Sequence, residues 1–65
     1  MKSYAALVTD LEALIDTKDP EYGHEQADQI LGAALARAAF TQEPPTEDEC
    51  NHILSAWKSV RKWYA

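Results

Sequence analysis

Pro44-Pro45-Thr46-Glu47-Asp48-Glu49 divides the 65-residue chain. A proline pair cannot continue a helix, because each ring removes a backbone N–H and pushes the preceding residue out of helical geometry. Directly after it, Thr46 stands three residues before Glu49, the spacing of a capping box. The threonine hydroxyl there accepts from the N–H of the third helical residue, and the glutamate reaches back to the cap's own N–H. Glu47, Asp48 and Glu49 also set three negative charges at the positive end of the helix dipole. One helix therefore ends near Thr41, another begins at Thr46, and Gln42 to Pro45 link them.

Working outward, Cys50, Ile53, Leu54, Trp57, Val60 and Tyr64 recur at intervals of three and four, which predicts one apolar face on a helix over about 46–64. Lys58, Arg61 and Lys62 fall in its last turns, where cations complement the dipole. Upstream, Ala27, Ile30, Leu31, Ala34, Leu35 and Ala38 form the principal face of a helix over about 20–41. Asp19-Pro20 reads as its N-cap and first residue. Gly23 offers a competing start, since glycine weakens a helix interior. Tyr4, Leu7, Val8, Leu11, Leu14 and Ile15 predict a first helix over about 3–17, capped by Ser3, with Asp10, Glu12 and Asp16 wetted. The expected fold is all-α: a three-helix bundle forming one domain over residues 1–65.

Size and composition bound what such a bundle does. In a domain this small, burial and conformational entropy nearly cancel, so it needs very regular helices, a covalent or metal staple, or a partner that completes its core. A single cysteine, Cys50, excludes an internal disulfide and points to a reducing, cytoplasmic compartment. The longest apolar run, residues 30–40, contains Arg37 and is too short to span a membrane. The run from Tyr4 to Val8 is too short for a secretion signal. A hydrophobic content of 46% excludes a disordered chain.

Helix 2 carries a second apolar stripe. Ala33, Ala36 and Phe40 fall roughly opposite the first, and Gly32 and Ala39 bridge the two. A helix apolar on both sides is normally buried on both sides, so self-association, as a homodimer, is expected through Ala33, Ala36, Phe40 and Trp63. Trp63 projects away from Trp57, and tryptophan is often an interface anchor.

Charge is segregated. Residues 1–49 hold eleven acids against three cations, a net −8, whereas residues 50–65 hold three cations and no acid. Asp10, Glu12, Asp16, Asp19, Glu21, Glu25 and Asp28 line the outer side of helices 1 and 2 and the turn between them. Such density disfavours a phosphate backbone and suits a basic protein surface. Much of it also serves simply as a solvated face.

Catalytic and metal constellations are sparse. His24 and Asp28 are spaced i, i+4, but a zinc site needs further ligands, and Cys50 and His52 point apart on helix 3. A hydrogen bond that orients His24 is the favoured reading. Cys50 follows three acids, which oppose a thiolate, and its stripe position suits a small apolar residue. No phosphate-binding loop, nucleophile elbow or zinc-protease motif occurs. The chain is therefore expected to be no enzyme and to need no cofactor or metal.

Asp19-x-Glu21-x-x-His24-x-x-Ala27-Asp28-x-x-Leu31, together with Lys62-Trp63-Tyr64-Ala65, resembles small uncharacterised helical proteins of phages and prophages. The resemblance covers mainly the second and third helices. It implies a mobile-element origin and an inhibitor of a host protein or defence complex, acting in the host cytoplasm. The linker at Gln42 to Pro45 and the alanine-rich helix 2 depart from that pattern. The expected function is thus a small, acidic, non-enzymatic protein-binding module. The alternative is a trihelical DNA-binding regulator using Lys58, Arg61 and Lys62. It is disfavoured because Glu47, Asp48 and Glu49 would lead its recognition helix into the phosphates.

Overall fold

The structure is a computed structural model and describes residues 1–62. It contains three helices, α1 Tyr4–Glu12, α2 Pro20–Thr41 and α3 Glu47–Ser59, packed as an all-α bundle with no strand among the described residues. α2 is the long spine, and α3 packs chiefly against α1 and least against α2.

Each start follows from its cap. Ser3 Oγ accepts from the Ala6 N–H at 3.1 Å, and Asp19 Oδ1 accepts from Glu21 and Tyr22, both at 3.1 Å, with Pro20 at the first helical position. Thr46 Oγ1 accepts from the Glu49 N–H at 3.1 Å while Glu49 Oε1 accepts from the Thr46 N–H at 3.0 Å, completing the capping box. α2 starts and ends where its pattern places it. Its C-cap, Gln42, takes a left-handed φ of 56°, and the Glu43 N–H turns back to Thr41 Oγ1 at 3.3 Å.

Two ends differ from expectation. α1 stops at Glu12, not Thr17. Beyond it Leu14, Ile15 and Thr17 donate to Leu11, Glu12 and Leu14, so three-residue turns tighten the chain toward Asp19, whose extended backbone the following proline requires. Ile15 is left exposed, while Leu14 packs against the core. α3 stops at Ser59, not residue 64. Val60 turns extended at φ −76° and ψ 130° and buries its side chain in the core. Ser59 Oγ donates back to the Ser55 carbonyl at 2.9 Å, a local bond that weakens a helix end. Arg61 and Lys62 therefore lie beyond the helix, and only Lys58 is in its last turn. Tyr64 lies outside the described residues.

The core is small: Tyr4, Leu7 and Leu11 from α1, Ala27 and Ala34 from α2, and Ile53, Ala56 and Val60 around α3. Leu11 is its one large side chain at 0% exposure. Around it, Tyr4 Oη donates to the Glu43 carbonyl at 2.5 Å, and the Arg37 guanidinium lies 5.1 Å from the centre of the Tyr4 ring. These contacts fasten the start of α1 to the end of α2. The expected core faces of α2 and α3 are corrected at their edges. Leu35 is 69% exposed, Leu54 is 40% exposed and Cys50 is exposed, while Ala56 takes the inward place. α3 has rolled toward α1, whose larger side chains give it more to bury against than the alanines of α2.

Gly23 is a site of close approach. A Cβ there would stand 2.9 Å from the Arg61 carbonyl oxygen and 3.1 Å from Thr17, whereas one at Gly32 meets nothing within 4 Å. Gly23→Ala is expected to destabilise the fold by about 1–3 kcal/mol despite its better helix propensity, because backbone must move. Gly32→Ala should stabilise it by about 0.5–1 kcal/mol. Urea unfolding followed by circular dichroism measures both, and equal effects of one sign would refute the assignment.

Candidate functional site

α2 and α3 meet through one polar cluster. Asp28, in the third turn of α2, accepts from Trp57 Nε1 at 3.2 Å through Oδ1 and faces His24 Nε2 at 3.0 Å through Oδ2. The His24–Asp28 spacing of one helical turn makes that pair possible. Trp57 then offers its ring to Lys62, whose Nζ lies 4.0 Å from the ring centre and donates to the carbonyls of Trp57 and Val60, the latter at 2.8 Å. Lys62 thereby caps the end of α3 from outside the helix. Desolvation there pulls its ammonium below the ordinary lysine range, and the charge of Asp28 opposes that shift. This chain of contacts orients side chains and joins helices.

Cys50 and His52 diverge. Cys50 lines a groove between α2 and α3, and His52 lines a hollow with Tyr4, Val8 and Glu49. Among the described residues no group of three His, Cys, Asp or Glu side chains is placed to hold a metal ion, and no helix is long and apolar enough to cross a membrane.

The seven acids divide into two sets. Asp10 takes an ion pair from Lys2 at 2.6 Å, Asp19 caps α2, and Asp28 holds Trp57 and His24. Those three are committed to the fold. Glu12, Asp16, Glu21 and Glu25 are exposed and have no ion-pair partner among the described residues. They follow one another along the end of α1, the connecting turn and the start of α2.

Of the residues expected to self-associate, Phe40 is 79% exposed and Ala33 is exposed. Ala36 is half-buried, and it and Ala33 line one hollow with Met1, Lys2 and Leu7, so the N-terminal arm borders that stripe. Trp63 lies outside the described residues. A different apolar surface stands open: the groove between α2 and α3, lined by Leu31, Leu35, Ala38, Cys50, Ile53 and Leu54 and closed at one end by Pro45. The pattern held a signal for it. The stripe from Ala27 to Ala38 is about 140° wide at ~100° per residue, wider than one buried side requires, and Leu35 forms one of its two edges, with Ile30 at the other.

Compared with known proteins, the chain matches no family model, no curated protein and no solved structure.

Because Asp28 joins two helices, Asp28→Ala is expected to cost about 1 kcal/mol through the lost Trp57 and His24 contacts. Glu25→Ala, at an exposed side chain that makes none of these contacts, should stay within about 0.5 kcal/mol of the parent. Thermal unfolding of the two variants side by side checks this. Equal losses would show that the cluster does not join the helices.

Proposed function

We propose that the chain is a non-enzymatic protein-binding module whose recognition surface is the run of carboxylates Glu12, Asp16, Glu21 and Glu25. One observation carries the reading. Where Asp10, Asp19 and Asp28 make contacts within the fold, these four are exposed, have no ion-pair partner among the described residues, and follow one another from α1 to α2 with Lys18 as the one cation between them. Such a surface costs self-repulsion unless it is solvated or met by positive charge, and it steers a basic partner toward itself. In the mobile-element setting that the sequence resemblance implies, the partner is a basic host protein and binding inhibits it in the host cytoplasm.

The DNA-binding alternative loses support at both ends of α3. The capping box fixes Glu47, Asp48 and Glu49 at its leading turn, and Lys62 is folded back on the helix end, leaving Lys58 and Arg61 as the exposed cations of that segment.

The test is charge reversal that spares the fold: Glu12→Lys, Asp16→Lys and Glu25→Lys together, with Glu21 kept for the α2 dipole. A partner captured by crosslinking in the native host is titrated against both proteins across a salt series. The reading expects at least about tenfold weaker binding and a flatter salt dependence in the variant. Unchanged affinity and slope would overturn it, as would tight binding of mixed-sequence duplex DNA by the parent at low salt.

A further inference from the structure

We propose that the groove between α2 and α3 is the interface of an antiparallel homodimer, in which a second copy of this chain lays its own groove across it about a two-fold axis level with Ile53. This goes beyond the acidic-surface reading and does not rest on it.

The groove is nearly all carbon, and Leu35 at 69% and Leu54 at 40% exposure stand on its two rims. Beside Leu35 lie Gly32, Ala38 and Ala39, so a facing helix meets little to hold it away.

Charge selects a second copy and its orientation. On α3, Glu47, Leu54 and Lys58 fall on one line, with offsets of seven and eleven residues equal to about two and three turns. Glu47 and Lys58 are both exposed, and neither has an ion-pair partner among the described residues. A two-fold axis reverses helix direction, so the Glu47 end of one copy meets the Lys58 end of the other, twice over. A surface with its acid at one end and its cation at the other is self-complementary in that sense alone. The same reversal sends the Glu12-to-Glu25 acids to opposite poles of the dimer, where their repulsion is least, whereas a parallel pair would bring them together.

Analytical ultracentrifugation of the full chain from micromolar to millimolar concentration tests this, with circular dichroism confirming each variant's fold. The parent is expected to move from 7.3 kDa to twice that mass. Leu54→Glu, at an already exposed position, should remain monomeric, and Phe40→Glu, exposed on α2 but off the groove, should dimerise like the parent. Glu47→Lys and Lys58→Glu should each weaken association about fivefold by removing two symmetric exposed pairs, and the double variant should restore it. A parent that stays monomeric at millimolar concentration overturns the proposal. So does dimerisation unaffected by Leu54→Glu, loss of the dimer in Phe40→Glu, or a double reversal no better than the singles.

Discussion

The Arg61 carbonyl lies so close to α2 that a side chain at Gly23 would stand 2.9 Å from it, and much of the molecule is arranged around that approach. To reach it, the chain must leave α3 at Ser59 and run extended through Val60, which seals the core at that end. Lys62 then folds back over Trp57, and Trp57 is held by Asp28 from α2. Helices α2 and α3 are thus pinned together at the Gly23 end. At the other end the two helices are joined by the linker through Pro44-Pro45, which the Tyr4 to Glu43 hydrogen bond ties to α1. Between the two ends, the alanines that α2 turns inward do not fill the space, and the seam stays open.

That arrangement explains which parts of the fold were legible in the sequence. Caps are local: Ser3, Asp19-Pro20 and the Thr46/Glu49 box act on N–H groups within three residues, so the pattern marks the helix starts, with the structure deciding for Pro20 over the competing start at Gly23. Helix ends here are decided at long range. The apolar period of α3 runs on to Tyr64, yet the helix ends five residues earlier because Val60 is worth more in the core beneath Gly23 than in another turn. Gly23 itself reads in sequence as a weak point of helix propensity. Its role is the approach of a backbone from residues almost forty positions away, which no local pattern carries.

The candidate surfaces divide along the same line. Spacing already marks Asp19 as a cap and Asp28 as the partner of His24, but the folded chain adds the Asp10–Lys2 pair and the Asp28–Trp57 bond and leaves Glu12, Asp16, Glu21 and Glu25 facing solvent with no ion-pair partner among the described residues. The expectation that α2 is apolar beyond what three helices can cover pointed to association, but the orientation of α2 shifts where the uncovered surface lies. Leu35, assigned by period to the core, stands on the rim of the seam, while the N-terminal arm borders the stripe at Ala33 and Ala36. A core with one large side chain fully buried leaves such a protein short of apolar burial, and the seam is where more is to be gained.

The most direct measurement is solvent paramagnetic relaxation of methyl-labelled protein, using a soluble spin probe at low and high protein concentration. The account predicts that the Leu35 and Leu54 methyl groups are strongly relaxed when the protein is dilute and become protected as it is concentrated, while Ala33 stays accessible at both. Leucine methyl groups equally accessible at every concentration, or protection appearing at Ala33 instead, would contradict it.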